Sequence, residues 1–157
     1  MKVKDIMTKS PGSVKESQHL NDAAYLMWEL DCGCLPVANE EDQISGVITD
    51  RDICMAAYTK GLPLTSIPVS SAMSKTVYSV SGEDSIDKAE DMMRHHQVRR
   101  LPVLDKNQKL TGILSLNDIA LAYKNRSLGS SVKATDVAKT LASVSEHKHG
   151  NLMSIAS

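Results

Sequence analysis

Phenylalanine is absent from this chain of 157 residues, and tryptophan occurs once. Only 3% of the residues are aromatic, so the core must come from Val, Ile, Leu, Met and Ala. So few rings also argue against a nucleic-acid surface, which stacks bases on aromatic platforms. Cysteine is sparse and odd in number: Cys32, Cys34 and Cys54 form no disulfide framework and fit a reducing compartment. Neither sign of charge dominates. With 18 Lys+Arg against 19 Asp+Glu the net charge is −1, which argues against a protein built to neutralise phosphates along DNA or RNA. Long apolar runs are missing too. The longest stretch without Asp, Glu, Lys or Arg runs from Gly61 to Ser74 and carries Pro63 and Pro68; a membrane helix needs about 20 apolar residues. The N-terminal Met1-Lys2-Val3-Lys4-Asp5 has no signal-peptide apolar run, so a cytoplasmic location is expected.

What is present is a repeat. A shift of 66 positions aligns the two halves without a gap. Met7 falls on Met73, Val14 on Val80, Leu20 on Ile86, Ala23 on Ala89 and Met27 on Met93. Leu35-Pro36-Val37 falls on Leu101-Pro102-Val103, and Gly46-Val47-Ile48-Thr49 on Gly112-Ile113-Leu114-Ser115. Glycine and proline keep the register along with the apolar residues, as expected of a true internal repeat.

Each unit reads as strand, helix, strand, strand, helix. A short extended piece lies near Val14 or Val77-Tyr78. Helical spacing follows in Leu20, Ala23, Ala24, Met27 and Leu30, and in Ile86, Ala89, Met93 and His96. Strands are expected at 35–38 and 44–49, and at 101–104 and 110–115. A second helix starts near Asp50 or Leu116. A three-stranded unit with helices on one face leaves apolar surface uncovered, so the two units are expected to cover each other. The fold class is α/β (α+β). The expected layout is repeat 1 at 1–60, an ordered connector at 61–72, repeat 2 at 73–126, and a C-terminal helix and tail at 127–157. Within the last segment, 131–147 reads as one amphipathic helix with Val137, Leu141 and Val144 on one face and Ser131 as its cap.

The sharpest motif is Gly46-Val47-Ile48-Thr49-Asp50-Arg51-Asp52-Ile53, with Gly112-Ile113-Leu114-Ser115-Leu116-Asn117-Asp118-Ile119 as its partner. An apolar strand ends in a hydroxyl residue, and a carboxylate follows on the first helical turn. Two readings are compatible. Ser/Thr-x-x-Asp is a capping box that satisfies orphan N–H groups. A carboxylate at a strand-to-helix turn can also accept both hydroxyls of a ribose, as in dinucleotide-binding folds, with a phosphate near the helix N-terminus.

The pattern Gly-apolar-apolar-Thr/Ser-x-x-Asp-Ile stands here twice, with Leu-Pro-Val upstream and Met-Thr or Met-Ser opening each repeat. It resembles the cystathionine-β-synthase (CBS) domain, over Met7–Ala57 and Met73–Tyr123. The whole looks like a stand-alone tandem pair, or Bateman module, with pseudo-twofold symmetry. The resemblance implies a regulatory sensor, not an enzyme, that holds AMP, ADP, ATP or S-adenosylmethionine in clefts between the repeats. Mg²⁺ would be an optional companion of the polyphosphates. It implies that Asp52 and Asp118 bind ribose hydroxyls, with Thr49 and Ser115 beside them. Lys9, Ser10 and Pro11, and Lys75, Thr76 and Val77, would border the adenine. Gly33, Cys34, Leu35 and Pro36, and Arg99, Arg100, Leu101 and Pro102, would form the opposite walls. Arg51 and Arg99-Arg100 enter from different elements, and Arg suits phosphate through paired hydrogen bonds. Which Arg serves which cleft is open.

The resemblance also implies a homodimer and a separate effector protein. Trp28 and Tyr25 stand where the second repeat has Arg94 and Asp91. This apolar surplus is expected to meet a second subunit or, failing that, the C-terminal helix. A redox- or metal-responsive scaffold is the alternative, built on Cys32, Cys34, Cys54, His95, His96, His147 and His149. Zinc needs about four converging ligands, and Cys32-x-Cys34 alone is weak. His96 sits at the end of an apolar stripe and is expected to be partly buried. There is no Gly-x-Ser-x-Gly, His-Glu-x-x-His or Walker loop to support catalysis.

Overall fold

The computed structural model describes residues 1–124 and 133–146. Seven strands and five α-helices follow one another as β1 (Thr8–Lys9), β2 (Val14–Lys15), α1 (Leu20–Glu29), β3 (Cys34–Ala38), β4 (Ile44–Thr49), α2 (Asp50–Lys60), β5 (Val80–Ser81), α3 (Ile86–His96), β6 (Arg100–Leu104), β7 (Leu110–Ser115), α4 (Leu116–Lys124) and α5 (Ala134–Ser145). One sheet has the order β2-β3-β4 and the other β1-β7-β6-β5. In both repeats the first strand pairs parallel to the second, and the second antiparallel to the third. The mixed α/β fold expected from the repeat is therefore the fold observed.

The helices form where the sequence supplies both a stripe and a stop. Leu20, Ala23 and Met27 are the buried residues of α1, and Ile86, Ala89, Glu90 and Met93 those of α3. Ser85 Oγ accepts the Lys88 N–H at 3.2 Å to start α3, and Gln97 ends it in the left-handed region at φ 53°. Gly61 ends α2 in the same way at φ 61°, a conformation glycine adopts without steric cost.

Each core is completed by a segment from elsewhere in the chain. The core of repeat 1 (Val14, Leu20, Ala23, Leu35, Val37, Ile48) takes in Ile67 and Val69 from the connector. The core of repeat 2 (Val80, Ile86, Met93, Leu101, Leu114, Ile119) takes in Val3 from the N-terminus and Val144 from α5. The crossings obey the repeat offset. Thr8 pairs with Ile113 in one direction and Ser74 with Val47 in the other. Lys2 bridges Ser85 as Pro68 bridges His19. The bridge Gln43–Lys109 maps onto itself and marks the pseudo-twofold axis.

Glycine permits the crossings. A Cβ on Gly46 would lie 2.8 Å from the Ser74 carbonyl oxygen and 2.8 Å from Met73 Sδ. At Gly112 the corresponding distances are 3.0 Å to the Thr8 oxygen and 2.4 Å to Met7 Sδ. No larger residue would let the strands approach so closely.

Two expectations need correction at α5. Leu141 is 53% exposed, while Thr140 and Val144 are buried and Val137 half-buried. Thr140 takes the inward position because its hydroxyl has partners there. It accepts from Arg94 Nη1 at 2.7 Å, lies 3.4 Å from Glu90 Oε1, and donates to the Asp136 carbonyl at 2.9 Å. The helix starts at Ala134, with Lys133 as an N-cap that makes no side-chain bond; Ser131 lies outside the described residues. The helix packs on α3 and α4, not on α1, so it does not cover Trp28, which is 84% exposed.

Candidate functional site

The pseudo-twofold brings the two repeats together along a cleft of about 380 Å³, within the usual size for small-molecule sites. Repeat 1 supplies Ser10, Pro11 and Gly12 after β1, Leu30, Asp31 and Cys32 after α1, and Cys34, Leu35 and Pro36 of β3. Repeat 2 supplies Arg100, Ile113, Ser115, Asn117 and Asp118.

The strand-to-helix turn at its floor is a capping box. Asp118 Oδ2 accepts the Ser115 N–H at 2.7 Å and its hydroxyl at 2.6 Å, while Ser115 Oγ accepts the Asp118 N–H at 3.2 Å. Thr49 and Asp52 repeat this at 2.9, 2.7 and 3.2 Å. In both, Oδ2 takes all the local bonds. Among the described residues Oδ1 of either carboxylate receives no hydrogen bond. Capping therefore leaves one half-buried carboxylate oxygen available for a ligand.

Of the residues singled out in the sequence, Ser10, Pro11, Cys34, Pro36, Arg100, Ser115 and Asp118 meet in this cleft. Thr49, Arg51 and Asp52 stand at the equivalent turn of repeat 1. Thr76 and Val77 follow Ser74, which bridges Val47 antiparallel, and stand one repeat offset from Ser10 and Pro11. Pro102 is buried opposite Ile113. Lys9 is exposed and pairs with Gly112. Arg99 is exposed and does not line the cleft; its carbonyl accepts the Leu116 N–H at 3.0 Å. Gly33 is not among the residues that line this cleft. It faces Asp50, whose Oδ2 would lie 2.7 Å from a Cβ there, in an adjoining depression that includes Met27, Trp28 and Ile53 and shares Asp31 and Cys32 with the cleft. Arg94 is also elsewhere, paired with Asp91 and Thr140 under α5.

Asp31, Gly12 and Asn117 line the cleft without having been singled out as contacts. Asp31 follows α1 in the left-handed region at φ 48°, and no spacing rule marks such a position. In the second repeat Gly12 becomes Tyr78 and Leu30 becomes His96. These rings stack at 3.7 Å between centroids and 14° between planes, so the equivalent region of the second repeat is filled differently. Burial pushes the Cys34 thiol up to about 11 against the opposing pull of Arg100. At neutral pH it is a thiol, not the reactive thiolate. Among the described residues no three His, Cys, Asp or Glu are grouped to hold a metal; His147 and His149 lie outside them. No helix among the described residues is long and apolar enough to cross a membrane.

The CBS domain model matches residues 3–58 and 69–125. The chain belongs to the CBS family. A CBS domain-containing protein of Bacillus subtilis, YhcV, is 37% identical over 131 residues, 83% of this chain and 91% of that protein. A crystal structure of hypoxic response protein I with two coordinated zinc ions is 34% identical, with a TM-score of 0.70 over 77% of this chain and 98% of that one. The structure of CBSX2 in complex with AMP is 28% identical, with a TM-score of 0.68 over 78% of this chain and 96% of that one. The CBS pair is a regulatory module, and its solved members include adenosyl-ligand complexes.

Proposed function

We propose that the chain is a regulatory sensor that binds AMP, ADP, ATP or a related adenosyl ligand between its CBS repeats and signals to a separate partner protein. The observation that carries this reading is the Asp118 carboxylate, which lines a cleft shared by both repeats and caps α4 through Oδ2 alone, with no hydrogen bond from the described residues to Oδ1. A ribose offers two adjacent hydroxyl donors to that oxygen, as in other strand-to-helix nucleoside sites. The AMP held by CBSX2 supports the same chemistry. Ser10, Pro11, Cys34 and Pro36 then border the base, and Arg100 faces any phosphate. Thr49, Arg51, Asp52, Thr76 and Val77 serve the second cleft.

Signalling follows from the walls. One wall belongs to repeat 1 and the other to repeat 2, so a ligand touching both favours one relative placement. Only such a difference in affinity between placements can shift the equilibrium a partner reads. The proposed role is binding without catalysis, in the cytoplasm, as a homodimer.

The test is calorimetric titration with AMP, ADP, ATP and S-adenosylmethionine of the wild type, Asp52→Ala and Asp118→Ala. Loss of charge-assisted bonds of about 1.5–3 kcal/mol should weaken the bound ligand tenfold or more in at least one variant. No binding by any of the four returns both motifs to helix capping alone.

A further inference from the structure

The turn at Asp52 repeats the backbone plan of the Asp118 cleft but differs in charge. The ionised groups lining the Asp118 cleft are Asp31, Asp118 and Arg100. The repeat offset carries Asp31 onto Gln97 and Asn117 onto Arg51. The backbone keeps these equivalences: Asp31 and Gln97 both sit in the left-handed region, at φ 48° and 53°. Asn117 and Arg51 both precede the capping carboxylate, in turns whose three hydrogen bonds match. Each exchange makes the first cleft one charge more negative than the second. Arg100 does not cancel the difference. It opens β6 one repeat offset from Cys34, and its field and that of Asp52 both reach Cys34.

Resting on the nucleoside reading above, we propose that the clefts sort adenosyl ligands by charge. The Asp118 cleft takes a ligand whose 5′ group is neutral or cationic, and the Asp52 cleft takes one carrying phosphates. Asp118 binds the ribose in the first cleft, and beyond it the 5′ group meets neutral Asn117 where the second cleft offers Arg51. A sulfonium or thioether is compatible with a lining of two carboxylates and one guanidinium. A polyphosphate meets a net negative lining there, where Arg100 is outnumbered by two carboxylates, and gains Arg51 as a further paired donor beside Asp52.

The experiment titrates the full chain with 5′-methylthioadenosine and, separately, with ATP in low salt without Mg²⁺. The proteins are wild type, Asp118→Ala, Asp52→Ala and Asn117→Arg, with Asp118→Asn and Asp52→Asn as isosteric variants in case a lost cap prevents folding. The expected result is opposite selectivity. Substitution of Asp118 weakens 5′-methylthioadenosine at least tenfold more than ATP, and substitution of Asp52 does the reverse. Asn117→Arg raises ATP affinity about tenfold. If both ligands are lost in the same Asp variant, or Asn117→Arg leaves ATP binding unmoved, the sorting is overturned while the sensor stands. If neither ligand binds any of these proteins, the nucleoside reading falls and the sorting falls with it.

Discussion

At the scale of single residues, each Ser/Thr-x-x-Asp turn serves two ends with different atoms. Oδ2 and the hydroxyl close the helix start, and Oδ1 takes no hydrogen bond from the described residues. Thr49→Ala removes the cap acceptor of α2 and should lower stability by about 0.5–2 kcal/mol, measured by urea denaturation; an unchanged midpoint contradicts the capping role. Glu90 is the other telling residue. It is buried between α3 and α5, and burial raises its carboxyl above the ordinary 4.5, against the pull of Arg94. The folded chain therefore holds that proton more tightly than the unfolded chain. The stability this group contributes is fully present below 4.5 and is lost as pH rises through the raised folded value. Melting curves of wild type and Glu90→Gln should diverge over that window, with the wild type losing ground as pH rises. Parallel curves would remove Glu90 from the account. The sequence announced the capping turns, because a hydroxyl and an acid three positions apart at a strand end have few other uses. It did not announce Glu90, because a lone Glu on a helix looks solvated until α5 is seen to cover it.

At the scale of elements, the repeat and its two central hairpins were legible because glycine, proline and apolar positions all kept one offset, whereas β1 was not expected and β5 lies at Val80–Ser81 instead of Val77-Tyr78. The exchange of leading segments was not legible. Nothing local in Val3 or Val69 says that each belongs to the opposite core. The close approach at Gly46 is its physical signature. Gly46→Ala places a methyl 2.8 Å from the Ser74 oxygen and should cost about 1–3 kcal/mol by overpacking. The accompanying change is faster hydrogen exchange at the amides of Val47 and Ser74, whose mutual bonds are 3.0 and 2.9 Å. Native-like protection at both would contradict the packing argument. The inward face of α5 was misjudged for a related reason. Leu141 is the more apolar residue, but Thr140 is the one whose hydroxyl meets Glu90 and Arg94.

At the scale of the whole molecule, the two repeats are alike in backbone and unlike in surface. The C-terminal helix covers repeat 2, while repeat 1 presents Tyr25 and Trp28 on α1 and Met55 and Tyr58 on α2, all largely exposed. Exposed apolar side chains of this kind suit an interaction site, and the homodimer proposed above would use them. Trp28→Ala should convert a dimer to a monomer in a solution mass measurement; a dimer of unchanged stability sinks the assignment. The asymmetry could be read from the sequence as aromatics against charges, but the free face itself depended on where α5 settled. The central claim, that the shared cleft recognises a ribose, is tested most directly by one crystal structure. It would hold the chain with whichever of AMP, ADP, ATP and S-adenosylmethionine binds most tightly. The account predicts the ribose hydroxyls on Oδ1 of Asp118 or Asp52 with the capping bonds to Oδ2 intact. A ligand seated away from both carboxylates would contradict it.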